Sequence, residues 1–231
     1  MSTTSGAGET GYGSHLGLFI TLEGPDGSGK STQARLLATH LRRDGYPVLE
    51  TAEPGGTPIG QQIRRILLDP ANHELRPIPE LLLMFAARAQ NVEQSVLPAL
   101  AEGKIVVSDR FTDSSIAYQG AGHRLGPETV LEVDRIACHG LVPDLTLCID
   151  IDSATGLARA HSRNQQHEMR YEQQGAEFHE RVRTAYHDLA RQEPRRFRLI
   201  DGNGSAEDVA AKVWHEVAGV LAEQAVKARQ G

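Results

Sequence analysis

The segment that most constrains this chain is Gly24-Pro25-Asp26-Gly27-Ser28-Gly29-Lys30-Ser31, which fits the pattern G-x-x-x-x-G-K-[ST]. It follows the apolar run at 18–22 and precedes Thr32 and a helix-like stretch to Leu41. A strand, a glycine-rich turn and a helix in that order are the setting in which such a loop binds phosphate. Gly24, Gly27 and Gly29 let the backbone take conformations closed to other residues, so that N–H groups at the helix N-terminus converge on phosphate oxygens. Residues 24–32 are therefore the expected cradle for the phosphates of a nucleotide. Lys30 is expected to reach the terminal phosphates, and Ser31 to offer its hydroxyl to Mg²⁺.

Four more runs rich in β-branched and aliphatic residues, near 46–52, 104–108, 144–150 and 196–201, join the one at 17–23. Helix-period segments separate them. That alternation predicts an α/β fold with a five-stranded parallel sheet covered by helices on both faces. A loop is expected at 69–79, a long helix near 80–101, a second loop at 119–127 and a last helix near 205–226. A polar stretch at 164–175 reads as a mobile lid, placed at about 162–175. Residues 1–17 read as a disordered tail without the apolar core of a signal peptide, and 227–231 as a short tail, leaving one domain at 18–226.

A net charge of −6 argues against nucleic acid or an anionic membrane as the main partner. Any polyanion must then be held by a local cluster of arginines. No apolar run is long enough to cross a membrane. Cys138 and Cys148, the only two cysteines, have no redox or metal-ligand spacing and read as buried thiols in a reducing, cytoplasmic compartment. The ten histidines lack metal-ligand spacing, so no protein-held metal site is expected.

The second strong signal is Asp109-Arg110-Phe-Thr-Asp-Ser114-Ser115-Ile-Ala-Tyr118-Gln119. An aspartate at the C-terminal end of a buried parallel strand stands where open α/β sheets bind ligands. Beside a phosphate loop it can hold Mg²⁺ water or position the acceptor phosphate. Arg110 adds a bidentate phosphate donor.

Together with Glu53-Pro54-Gly-Gly-Thr57 and Met84-Phe85-Ala-Ala-Arg88-Ala-Gln90, these motifs resemble bacterial thymidylate kinases, over residues 18–221. The resemblance implies a P-loop nucleoside monophosphate kinase fold, transfer of phosphate from Mg-ATP to dTMP in dTTP biosynthesis, and a homodimer. It places Asp26 at the sugar 3′-hydroxyl, Arg88 and Arg110 on the base edge and phosphate, and Ser115 and Gln119 at the base. Tyr118 is placed under the deoxyribose. Glu53, Pro54 and Arg64 are implied at the substrate, with an exposed helix residue the alternative for Arg64. Asp109 and Ser31 are implied at Mg²⁺. Three positions depart from the family pattern. Ala52 stands where an arginine is usual, Met169 where an aspartate is usual, and Met84 where an aromatic stacks on thymine, so Met84 or Phe85 covers the base.

No basic residue occupies the variable loop positions 25–28. That arrangement resembles the family's lid-arginine subtype, which implies that arginines around the lid meet the charge on the transferring phosphoryl group, with Arg163 first, Arg159 second and Arg170 third. Two other readings remain at this point. One is a kinase of another nucleoside monophosphate or a deoxynucleoside, the other a nucleotide-binding P-loop module without turnover.

Overall fold

The computed structural model describes residues 16–162, 170–171 and 174–228. The expected tails at 1–17 and 227–231 fall largely outside them. Of these, Gly17 donates its N–H to the Leu100 carbonyl at 2.9 Å, and the last helix runs to Ala228.

The strands are β1 (Leu18–Glu23), β2 (Val48–Ala52), β3 (Ile105–Asp109), β4 (Leu145–Asp150) and β5 (Phe197–Asp201), all pairing in parallel in the order β2-β3-β1-β4-β5. The parallel α/β sheet expected from the sequence is thus present, with each strand within two residues of its expected bounds. Because side chains alternate along a strand, Leu18, Ile20 and Leu22 face α1 (Lys30–Arg43) and the C-terminal helix. Phe19, Thr21 and Glu23 face the opposite layer. There Phe19 packs with Phe85, Val106 and Phe111.

That second layer begins with α2 (Pro58–Leu68), capped by the Thr57 hydroxyl accepting from Gly60 N–H at 3.0 Å. Next, α3 (Pro77–Asn91) passes through a π-helical turn at Val92–Val96 into α4 (Leu97–Ala101). The expected helix near 80–101 is therefore three segments. Pro98 has no N–H for the preceding turn, and the wider turn directly upstream takes up the change in register.

The short α5 (Thr112–Ser115) runs into a second π-helical stretch, Ile116–Gly122, before α6 (Pro127–Ala137). The loop expected at 119–127 is thereby confined to 123–126. Its glycines serve packing as well as turning: a Cβ on Gly122 would stand 2.5 Å from the Phe178 ring. The chain closes with α7 (Ser153–Ser162), α8 (Ala176–Gln192) and α9 (Ala206–Ala228). α8 packs Phe178, Val182, Tyr186 and Leu189 against Cys148 and Phe197 of the sheet. No described helix is long and apolar enough to cross a membrane.

Candidate active site

β1 and β3 are neighbours whose following loops leave toward opposite sides, and a cleft opens above their carboxyl ends. Its floor is the 24–31 loop. Gly24 has φ +137°, and a Cβ there would lie 2.4 Å from the Ile149 carbonyl, so only glycine lets the loop leave β1 this close to β4. Pro25 and Ser28 are buried, while Gly29 in a left-handed conformation caps α1 and leaves its N-terminal N–H groups at the loop. Lys30 donates Nζ–H to the Pro25 carbonyl at 2.9 Å. Burial and the nearby Arg110 charge push its ammonium down to about 8. Ser31 lines the cleft. Thr32, half-buried on α1, does not.

Arg110 is the centre of the opposite wall. Its backbone is left-handed at φ 73°, a conformation costly for a side-chain-bearing residue and one that redirects the chain out of β3. The turn is held from both sides. Ser108 Oγ donates to the Arg110 carbonyl at 2.7 Å, and Phe111 N–H donates to Glu23 Oε1 at 2.7 Å. The guanidinium donates to Asp26 Oδ1 at 2.7 Å, Ser114 Oγ at 2.9 Å and Tyr118 OH at 3.3 Å, and lies 4.8 Å from the Tyr118 ring centroid. Burial acts to raise the Asp26 carboxyl, but Arg110 and Lys30 together hold it below the usual carboxylate range.

Glu23 supports this wall from below. It is buried, bonded to Ser114 and Tyr186 hydroxyls as well as Phe111 N–H, and burial with the neighbouring Asp113 charge pushes it up to about 7.

Arg88 comes up from α3 at the other end of the cleft. Its Nε donates to Glu53 Oε2 at 2.5 Å, and its Nη2 to Ser115 Oγ and the Phe111 carbonyl, both at 3.1 Å. Glu53 Oε1 accepts from Asn91 at 3.0 Å, so Glu53 chiefly anchors Arg88. Arg64 donates to the Pro54 carbonyl at 2.9 Å, and both residues line the cleft with Met84, Ser115 and Gln119.

Met84 and Phe85 stand in different surroundings. Met84 lines the cleft, whereas Phe85 is in the core, 4.4 Å beneath the Arg88 guanidinium. Phe85 therefore supports Arg88 and does not face the cleft, because the residue one position on along a helix turns to another face.

Two buried oxygens around the cleft, Asp109 Oδ1 and Asp26 Oδ2, have no hydrogen-bond partner among the described residues. Buried polar atoms in that state are rare in folded proteins, and both lie where a ligand would satisfy them. Among the described residues no group of three His, Cys, Asp or Glu side chains could hold a metal on its own. Asp109 and Ser31 do share the cleft, a hard-oxygen pair suited to Mg²⁺ held jointly with phosphate.

Around the expected lid, Arg163 lies outside the described residues. Arg159 is half-buried on α7, which approaches the phosphate loop so closely that a Cβ on Gly156 would stand 2.6 Å from the Asp26 carbonyl. Arg170 contradicts its expected place among the phosphate-facing arginines. It is buried, bonded to Glu80 of α3 and donating to the carbonyls of Leu67 at 3.3 Å and Leu75 at 3.4 Å. A buried carboxylate captures the guanidinium before it can turn to the cleft.

Sequence reasoning missed Glu23, Glu80, Ser114 and Tyr171. A glutamate ending an apolar strand was the legible signal for Glu23. Glu80 reads as an ordinary first-turn acid on its helix.

The family model for thymidylate kinase matches residues 22–213. A thymidylate kinase of Halothermothrix orenii is 49% identical, with 89% of this chain and 98% of the relative covered. That of Pelobacter propionicus is 46% identical over 87% of this chain and 94% of its own. The crystal structure of thymidylate kinase from Ehrlichia chaffeensis superposes with a TM-score of 0.72 at 32% identity, covering 87% of this chain and 98% of that one.

Proposed function

The chain belongs to the thymidylate kinase family and phosphorylates dTMP to dTDP, and we propose that it does so in this cleft with Mg-ATP as donor. The observation that carries the placement is the Arg110–Asp26 pair, which joins the phosphate loop to the wall that ends in Tyr118 and Gln119.

In this reading residues 24–31 hold the ATP phosphates and Lys30 neutralises their terminal charge. Arg110 holds the dTMP phosphate, and the unsatisfied Oδ2 of Asp26 accepts the sugar 3′-hydroxyl. Tyr118 lies under the deoxyribose. Arg88, Ser115 and Gln119 meet the base edge, and Met84 covers its face, methionine packing well on π-systems. Glu53 orients Arg88, and Pro54 and Arg64 close the wall beside it.

Asp109 and Ser31 would hold Mg²⁺, whose charge stabilises the phosphoryl oxygens during transfer. Transfer between two held phosphates needs little covalent help, so positioning and charge neutralisation carry the catalysis. Arg159 and Arg163 supply the remaining positive charge. The approach of α7 to the phosphate loop at Gly156 supports Arg159, which is three residues further along the same helical face.

The functional unit is a homodimer without a nucleic-acid or membrane partner. Exposed Ile78 and Leu82 on α3 and Leu131 and Ile136 on the adjoining α6 support such an interface. Two buried free thiols, Cys138 and Cys148, fit a reducing cytoplasm.

A coupled ADP-release assay across dTMP, dUMP, UMP, dCMP and AMP tests the reading. Turnover fastest with dTMP supports it, and equal or faster turnover with AMP or UMP overturns it.

A further inference from the structure

Glu80 is the most enclosed carboxylate outside the phosphate-binding wall, with no exposed surface. It does not line the cleft, yet four side chains converge on it. Its Oε2 accepts from Arg170, and its Oε1 accepts from Tyr171 OH at 2.7 Å and Gln119 Nε2 at 2.8 Å, with His123 Nε2 at 3.2 Å. Gln119 Nε2 also donates to Tyr171 OH at 3.1 Å.

This arrangement fixes which way the Gln119 amide points. The Tyr171 proton is committed to Glu80, so the phenol oxygen can only accept from Gln119. The amide nitrogen therefore has two acceptors. Turning the amide over would set its oxygen against a carboxylate and against a phenol oxygen with no proton to give, replacing two hydrogen bonds by two repulsions. Gln119 is on the cleft wall, and with its nitrogen held below, its carbonyl is the group left for a ligand.

A carbonyl matches a pyrimidine that carries a ring N–H, as thymine does. It opposes cytosine, whose ring nitrogen at that edge is an acceptor. A site built for one hydrogen-bond polarity rejects the reverse polarity strongly, because groups are left unpaired.

Resting on the reading that Gln119 meets the base edge, we propose that Glu80 is a positioning residue for base selection, pinning the Gln119 amide with its carbonyl toward the pyrimidine. Burial acts to raise the carboxyl, but His123 and the Tyr171 and Gln119 donors hold it below its usual range, and its partners include Arg170 and Tyr171. Both come from a segment far along the chain from α3, so selection depends on a buried carboxylate that does not itself line the cleft, reached through Gln119 and Tyr171, which do.

The test is kcat/KM for dTMP and dCMP in the wild type, Glu80→Gln, Gln119→Ala, their double variant and Tyr171→Phe, with thermal unfolding to confirm folding. Glu80→Gln is expected to lower the dTMP/dCMP preference ~10-fold or more, mostly through KM for dTMP, with KM for ATP within ~2-fold. In the Gln119→Ala background that loss is expected to vanish, since the effect passes through the amide. Tyr171→Phe is expected to act in the same direction by a smaller factor and decides the matter if Glu80→Gln does not fold. An unchanged preference in Glu80→Gln, or in Tyr171→Phe if that is the folded variant, while Gln119→Ala abolishes it, overturns the proposal and spares the reading of Gln119. Equal losses in both backgrounds also overturn it. An unchanged preference in Gln119→Ala overturns that reading and the proposal together.

Discussion

Arg110 and Asp26 meet at 2.7 Å from segments 84 residues apart, and the second oxygen of that aspartate is buried with no partner among the described residues. The pair therefore orders one carboxylate oxygen with a cation and leaves the other for a donor. Asp26→Asn keeps the shape and removes the charge. If the free oxygen accepts the 3′-hydroxyl, kcat/KM for dTMP falls ~10²-fold, as for other lost charge-assisted hydrogen bonds in a site, and 3′-deoxy-dTMP loses much less. Equal losses for the two nucleotides would show that Asp26 serves only Arg110.

Lys30 gives a prediction in pH. Burial and Arg110 push its ammonium down to about 8, and bound triphosphate adds negative charge beside it, which favours the protonated form. ATP binding must then take up a proton near and above pH 8, and affinity must fall as pH rises further. Isothermal titration in two buffers of different ionisation enthalpy at pH 8.5 measures the uptake. Lys30→Ala should abolish it, keep a native circular dichroism spectrum, and lower turnover at least ~10²-fold.

Glu23 is raised from 4.5 to about 7, so between those values the folded protein binds more protons at this site than the unfolded chain does. Its contribution to stability is full below pH 4.5 and lost as pH rises through 7. Urea unfolding at pH 5 and pH 8 should therefore show a smaller drop for Glu23→Gln than for the wild type. The same drop in both would remove Glu23 as its source.

Tyr118 is 5% exposed with its hydroxyl on Arg110, and in the proposed placement it would leave little room beside the deoxyribose. A 2′-hydroxyl buried there unpaired costs about 1–3 kcal/mol, which predicts a preference for dTMP over 5-methyl-UMP of ~10-fold or more. Tyr118→Ala should reduce that ratio. Equal use of both sugars by the wild type would rule out a steric gate at this residue.

Arg163→Ala and Arg159→Ala are expected to lower kcat, by ~10²-fold for Arg163, with smaller changes in KM for ATP and dTMP, because charge builds up on the phosphoryl group only as transfer proceeds. A rise in KM with kcat preserved would assign these arginines to binding alone.

Much of this was legible in the sequence, because its signals are local. The strands announce themselves by aliphatic runs, and the phosphate loop and the Asp109–Gln119 segment carry their chemistry within a dozen residues. What escaped was set by tertiary partners. Met84 and Phe85 share a helix with Arg88, and only the packing of α3 on β1 and β3 decides which one enters the core. Arg170 was indistinguishable from a solvent-facing lid arginine until Glu80, 90 residues earlier, was found beneath it. The glycines at 120 and 122 suggest a loop, whereas the ring of Phe178 needs the space that Gly122 leaves.

In the proposed reaction this cleft moves a phosphoryl group from ATP to dTMP. It is tested most directly by chromatographic identification of the products formed by the purified full chain from dTMP, ATP and Mg²⁺. dTDP and ADP are expected in equal amounts, with both lost in Lys30→Ala. ADP released without dTDP, or dTDP formed undiminished by Lys30→Ala, would contradict it.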